Sequence, residues 1–432
     1  MRIPTTRQLF AWDWLEDGPD IQTIREFLAV VPDEKLLAAL RRGRANGSDD
    51  YDVATLWGVL LLRVALRHVF VESTLHELRR NRDLRRMISI ESVSGVPGRW
   101  NISRFTERLG EEPYLSLLRE VFDEMIKNLG EAAPDLGRNL SGDASHLSGR
   151  RSRSAKGDGG DLPKAAGGRK AYTDEDGKVT RIIEWFGYKF HALVDTKHEV
   201  AVAYRVGPAN GGDAEELPEL VEEAKENLPE DRMETLAYDK AADDDATHKM
   251  LHREGIRPVI ENRSLWKGEG ERMLPGHDGD SNVVYDEAGT LYCYDLTSET
   301  PVRRPMAYIG HEADRGTLKY RCPARHEGWT CPRDAACNGG RKYGKTVRVK
   351  REIDLRRFPP IPRATKTFER LYRGRSAVER FNGRLKVYWG ADDGNVTGAR
   401  RFHAMIGTIM VVHAAMATLL ARAPRYEGTL SK

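Results

Sequence analysis

Two long β-rich runs, KVTRIIEWFGYKFHALVD (178–195) and EVAVAYRVGPAN (199–210), are separated only by Thr196, Lys197 and His198, and they constrain this chain more than any other feature. β-branched and aromatic residues crowd both runs, and a three-residue connection permits only an antiparallel return. The two runs therefore read as a β-meander, with Asp176-Gly177 expected as the turn that leads into it. The residues before it follow a different rule. From about residue 20 to 132 the apolar spacing is helical: Leu56, Val59, Leu60 and Val64 share one face, and Tyr114, Leu117, Leu118, Val121, Phe122 and Met125 share another.

Downstream the element types alternate. RNLSGDASHL (138–147) reads as a strand carrying Asp143, running into a mobile Gly-rich basic loop that extends to about residue 170. AEELPELVEEAKENL has helical spacing, METLAYDKA is a short strand ending at Asp239, DATHKMLHREG is a helix stopped by Gly255, and IRPVIE is another strand. Residues 264–350 break this rhythm with loop-rich and strand-like pieces, and they read as a β-rich insertion. After them come a Pro-rich turn (Pro359, Pro360, Pro362), a helix bearing AVERFNGRLKVYWG, and a long apolar helix from about 399 to 421. The expected architecture is α/β, divided into a helical domain (1–132), a mixed-sheet domain in two parts (133–263 and 351–432) and the insertion (264–350).

A length of 432 residues supports two or three domains, and 69 basic against 66 acidic residues leave a net charge too small to announce a nucleic-acid partner. The distribution says more than the sum. Arg79, Arg82, Arg86 and Arg104 lie in a crowded basic stretch where STLHELRRNRDLRRMI and NISRFTERLG read as two short helices joined by the turn-rich SVSGVPGRW. Such a stretch suits a helix-turn-helix module whose arginines hold phosphates, although any helical bundle can carry a solvated Arg-rich face. The first residues turn acidic before an apolar run develops, which is unlike a signal peptide. Phe402–Ala421 carries no formal charge, but its two His and two Thr among small Ala residues fit a buried helix better than a membrane span. Four cysteines, Cys293, Cys322, Cys331 and Cys337, fall within 45 residues; they could form a four-thiolate zinc site, with His311 or His326 replacing one ligand, or be buried thiols.

Enzymes that move phosphoryl groups on nucleic acid commonly hold two divalent cations with carboxylates from separate elements. Acids at strand ends are the natural candidates, and Asp143 and Asp239 would converge if their strands were neighbours. A third acid should come from a covering helix. At about 100° per residue from Tyr372, Arg375, Glu379 and Lys386 fall at about 300°, 340° and 320°, one polar stripe beside an apolar face of Leu371, Val378, Phe381, Leu385 and Trp389. Ser376 and Glu379 also match a capping box, and a helix that starts only at Ser376 would remove Tyr372 and Arg375 from the stripe.

YRGRSAVERFNGRLK resembles the Tyr-x2-Arg-x3-Glu-x6-Lys signature of the cut-and-paste DDE transposases of bacterial insertion sequences, with Tyr372, Arg375, Glu379 and Lys386 in the four positions. The stretches 187–220 and 236–256 are similar to the second and third strands, the first helix and the second-aspartate segment of those enzymes, and EDGPDIQTIREFL through ISRFTERLG to their helical N-terminal domain. One departure is that Asp239 is followed by Lys-Ala-Ala-Asp where the family has Lys-Gly-Tyr-Asp; Asp243–Asp245 is expected to be the acidic start of the next helix.

The resemblance implies an RNase H-like catalytic domain and a triad of Asp143, Asp239 and Glu379 holding two Mg²⁺, for which Mn²⁺ could substitute. Tyr372, Arg375 and Lys386 would contact phosphates near the cleaved end. Terminal inverted repeats and target DNA are the implied partners, with a homodimer on DNA, no membrane, and a cytoplasmic, nucleoid-associated location. Two other readings stay open: a non-catalytic DNA-binding descendant of a transposase, and a Mg²⁺-dependent nuclease without strand transfer.

Overall fold

The computed structural model describes residues 19–44, 51–150, 160–173, 178–212, 215–267, 270–275, 282–295, 300–422 and 430. It is a mixed α/β structure with several sheets, as the alternation of element types predicts. The chain divides into two compact units. Unit 1 comprises residues 1–137, 143–232 and 376–432, and unit 2 comprises 138–142 and 233–375. The turn expected at Asp176-Gly177 and the basic residues Arg151, Arg153 and Lys156 lie outside the described residues.

In unit 1 the described residues up to 132 form helices α1 (Pro19–Ala29), α2 (Glu34–Arg42), α3 (Val53–Ala65), α4 (Val71–Arg80), α5 (Arg82–Met87), α6 (Arg99–Leu109) and α7 (Tyr114–Ala132). Helix α3 is apolar on nearly every side and almost wholly buried; Asp52 caps it by accepting from the Ala54 N–H. The segment expected to form one helix from Ser73 instead divides at Asn81, whose side chain accepts from the N–H groups of Asp83 and Leu84 and so starts α5. A cap inside a charged run shows no periodicity break, which is why spacing alone merged the two. Buried Arg85 braces the joint by donating to the Leu78 and Arg79 carbonyls.

Unit 1 also holds the meander. Strand β3 (Val179–Asp195) pairs antiparallel with β4 (Ala201–Pro208) along its buried second half, and with β2 (Ala166–Thr173) along its exposed first half. Strand β2 corrects the expectation of a loop up to residue 170: its Gly167-Gly168 start looks like a linker, and only pairing with β3 makes it a strand. Strand β1 (Asn139–Ser148) adjoins β3 on the other side, and at Gly187 the backbones come so close that a Cβ there would stand 2.1 Å from the Leu147 carbonyl oxygen. Helix α14 (Ala399–Arg422) is long and apolar enough to cross a membrane, but 78% of its most apolar window is buried inside the fold, as its small residues predict.

Unit 2 takes the first residues of β1, which pair in parallel with β5 (Thr235–Tyr238), itself parallel to β6 (Arg257–Ile260). The crossover is α9 (Asp245–Arg253), and α12 (Lys366–Arg373) packs Phe368 against Ala237 and Val259. The insertion has a core of its own, built around Leu291, Leu318, Val347 and Phe358. One four-stranded antiparallel sheet is made of β7 (Glu271–Met273), β8 (Val283–Asp286), β9 (Leu291–Asp295) and β10 (Val302–Pro305). A three-stranded sheet is made of β11 (Ala307–Glu312), β12 (Thr317–Arg321) and β13 (Thr346–Lys350).

The acids after β5 do not act as one helix start. Asp244 caps α9 by accepting from the Thr247 N–H, and Asp245 opens its first turn, as expected. Asp243 does something else. It is fully buried and receives Arg356, Arg363, His248 and the Arg263 N–H, each at 2.8–3.0 Å. Burial would raise its pKa, but the His248 hydrogen bond and the two guanidiniums hold it down at about 2. Asp243→Ala should therefore strand two buried guanidiniums and cost about 3–5 kcal/mol, against about 1 kcal/mol for loss of the Asp244 cap. Denaturant unfolding of the two variants beside the parent checks the ratio.

Candidate active site

Helix α13 (Ser376–Val387) belongs to unit 1 and begins after a break, because α12 ends at Arg373 in unit 2. The single stripe through Tyr372, Arg375, Glu379 and Lys386 is thus not one helix face, and only the part from Ser376 onward keeps its angular relation. Ala377, Val378, Phe381 and Leu385 are buried; Phe381 packs on Phe190 of β3 and on His413 of α14, with ring centroids 6.2 and 5.0 Å apart. The Ser376 hydroxyl accepts from Arg380 at 2.8 Å.

The rotation of α13 is set by Glu199, in the turn between β3 and β4. Arg380 and Arg384, one helical turn apart, each donate to a different oxygen of this buried carboxylate at 2.6 Å. Glu199 does so from a left-handed backbone, φ 56°, which costs an ordinary side chain about 1–2 kcal/mol.

With that face occupied, Glu379, Asn382 and Lys386, spaced i, i+3 and i+7, share a neighbouring face. Asn382 Nδ2 reaches Asp143 Oδ2 of β1 at 3.5 Å, and the Asn382 Oδ1 is buried without a hydrogen-bond partner among the described residues. Lys386 donates to Nδ1 of His146 at 3.3 Å and lies 3.9 Å from Asp392. Burial pulls the Lys386 pKa below its usual value, against Asp392 and Asp143, which raise it. The ammonium is half-buried beside carboxylates, a setting that also suits a phosphate oxygen.

Unit 2 holds the other predicted residues. Ser141 pairs with Ala237 in the parallel β1–β5 ladder, so Asp143 and Asp239 each stand two residues beyond a paired position, on strands that run the same way. Asp239 Oδ1 accepts from the Ala241 N–H, the cap role common for a lone Asp at a strand end. Tyr372 stacks on Phe368, with centroids 5.8 Å apart, and Arg375 lies over the Tyr372 ring at 5.9 Å. The Tyr372 pKa is pushed up to about 12, first by burial and then by Glu261 and Asp239. Among the described residues, no three His, Cys, Asp or Glu side chains stand close enough together to hold a metal ion.

Sequence reasoning passed over several of these residues. Asn382 falls at about 280° on the angular scale, beside the polar stripe, and was visible there. Glu261 directly follows strand β6 as Asp239 follows β5, so the search for acids at strand ends could have found it. Glu199, His146 and Asp392 carry no sequence signal, since Glu199 meets Arg380, His146 meets Lys386 and Asp392 accepts from the Ser148 N–H, each across more than 180 residues. Of the predicted basic residues in the helical region, Arg79, Arg82 and Arg104 are exposed and Arg86 is half-buried.

A family model of the transposase DDE domain matches residues 143–415, from Asp143 on β1 into α14. The chain belongs to the transposase DDE domain family. No curated protein matches the chain in sequence. Family membership makes transposition the function, a transposase enzyme the class and DNA the substrate, and DDE transposases generally use divalent metal ions. The family match begins at the first candidate aspartate, within β1, and spans the meander, β5 and α13.

The Glu199 clamp makes a prediction that needs no DNA. Glu199→Ala keeps the left-handed strain and loses both ion pairs, whereas Glu199→Gly loses the pairs but relieves the strain. The Ala variant should be the less stable of the two by about 1 kcal/mol, and amide exchange across 376–387 should quicken in both.

Proposed function

We propose that this transposase cleaves DNA at the ends of its mobile element and joins the freed 3′-OH ends to target DNA, using Asp143, Asp239 and Glu379 as an acidic triad on an RNase H-like sheet. The carrying observation is the register of β1 and β5, in which the two aspartates occupy equivalent places past Ser141 and Ala237. Further support comes from unit 1, where Asn382, on the same face of α13 as Glu379, meets Asp143. In strand order, two parallel strands beside an antiparallel meander agree with the RNase H-like reading.

The donor set suits a hard divalent cation such as Mg²⁺ or Mn²⁺: all three candidate ligands are carboxylates, and the buried Asn382 Oδ1 lacks a partner that a metal-bound water would supply. When bound, two such ions would activate an attacking oxygen and stabilise a leaving one. The chain's own residues then have distinct tasks. Lys386, with its neighbouring cations and acids, would bind a phosphate oxygen near the scissile bond. Tyr372 keeps its proton far above neutral pH and so can donate a hydrogen bond to phosphate, with Arg375 held over its ring. Asn382 would orient the Asp143 carboxylate.

The exposed arginines of the helical region, Arg79, Arg82 and Arg104, with Arg86, would hold the terminal inverted repeats by their phosphates. A reaction on two ends calls for two chains, hence a homodimer on DNA, working at the nucleoid.

Glu379→Gln, Asp143→Asn and Asp239→Asn should each fold and bind terminal-repeat DNA while losing Mg²⁺-dependent cleavage by orders of magnitude; Asp244→Asn should cleave normally. A cleavage assay run beside a gel shift on the same duplex reads both properties. Wild-type cleavage by Glu379→Gln would sink the triad, and cleavage without joining to target DNA would favour the nuclease reading.

Replacing Arg79, Arg82 and Arg86 together should weaken end binding and flatten its salt dependence by about one unit of slope for each phosphate no longer neutralised. An unchanged slope removes them from the interface.

A further inference from the structure

All four cysteines of the chain, spread over 45 residues of sequence, line one small cavity of about 30 Å³ within the insertion. They arrive from four places: Cys293 from β9, Cys322 just before α10 (Pro323–Glu327), Cys331 from the following turn, and Cys337 from α11 (Asp334–Asn338). Such convergence is not needed for packing, since small apolar side chains fill a core as well as thiols do.

Donors reach three of the sulfurs, although Asp295 also lines the cavity and Asn282 Oδ1 lies 4.0 Å from Cys337 Sγ. Asn338 Nδ2 points to Cys322 Sγ and Asn282 Nδ2 to Cys337 Sγ, both at 3.8 Å, while the Arg333 backbone N–H donates to the Cys331 sulfur two residues before it. Lys345 lines the same cavity and reaches Asn282 Oδ1 at 3.3 Å. A neutral thiol is a weak acceptor and does not need such company, whereas a thiolate does. A divalent cation binds such groups as thiolates by displacing their protons.

Polar contacts rather than a core hold the segment from 322 to 339: Arg325 pairs with Asp334, and Asn338 accepts from the Lys345 N–H. Helices α10 and α11 are five residues each, too short to persist alone, and each ends in a left-handed glycine, Gly328 and Gly339. Between 322 and 339 only Cys322, Pro323, Ala324 and Asn338 are buried, so a metal staple would supply what a core cannot.

We propose that Cys293, Cys322, Cys331 and Cys337 form a structural site for one Zn²⁺, with Asn282, Asn338, the Arg333 N–H and Lys345 as its outer shell. Four thiolates on Zn²⁺ carry two net negative charges, which Lys345 and the three N–H donors offset. The four sulfurs line the cavity wall, and among the described residues no three of them are at ligand spacing, so binding would call for the 322–338 segment to close on Cys293. The site stands apart from the carboxylate chemistry, and its failure would leave the transposase reading untouched.

The test uses the full chain, purified under reducing conditions without chelator. Elemental analysis should find about one zinc per chain and no iron. Replacing zinc with Co²⁺ should give the absorption bands of tetrahedral thiolate coordination. Stripping the wild type with a chelator should lower its melting temperature and expose four reactive thiols, while Zn²⁺ alone restores both. Cys322→Ser and Cys331→Ser should each lose the metal. Absence of zinc together with failure to bind Co²⁺ would overturn the site, iron in place of zinc would overturn its identity, and zinc retained by both Ser variants would overturn the ligand set. The cobalt spectrum and thiol count come from the wild type, so they decide the matter even where a variant fails to fold.

Discussion

One buried carboxylate fixes which side of α13 meets the turn between β3 and β4. Glu199 takes Arg380 and Arg384 on its two oxygens, and because these lie one helical turn apart the helix can meet the carboxylate in only one rotation. Phe381 against Phe190 and His413 secures the helix from the other side. What is left between those faces is the line of Glu379, Asn382 and Lys386. The clamp is made from a left-handed residue, so the turn between β3 and β4 carries a strain that the ion pairs outweigh.

The same logic of occupied and available faces separates the acids of unit 2. Asp239 and Asp243 are four residues apart, and both look eligible for chemistry. Asp243 is enclosed by two arginines, a histidine and a backbone N–H, and its charge is spent in joining the residues after β5 to the segment at 356–363. Asp239 keeps one oxygen for its turn and presents its carboxylate, half-exposed, near Tyr372. Burial with saturated partners marks a structural acid; partial exposure with one oxygen uncommitted marks a candidate for function.

Much of the fold was legible in residue order. The helical spacing up to 132, the two meander strands, β5, α9, β6 and the β-rich insertion all fall where periodicity, turn residues and Gly255 put them. Those are local signals, and strong ones, because each element buries one face and must repeat its apolar residues at the matching period. Where the reading departed from the structure, the cause was non-local or sub-periodic. β2 is a strand only because β3 offers it an edge, the α4–α5 division hangs on a single Asn cap, and the α12–α13 break at Gly374–Arg375 leaves the apolar rhythm intact.

The candidate site divides along the same line. Sequence by itself determined the residue types and their order: an aspartate on one strand and another at the end of a second, and a Tyr, Arg, Glu and Lys at fixed spacing that resembles one enzyme family, to which residues 143–415 do belong. It could not decide that Ser141 and Ala237 share a register, that Asn382 reaches Asp143, that Glu199 orients α13, that Asp243 is sealed off, or that four cysteines meet at one cavity. Each of those depends on groups brought together from distant parts of the chain. A spacing rule sees only what one helix or one strand puts side by side, whereas burial, charge pairing and strand register are properties of the folded neighbourhood.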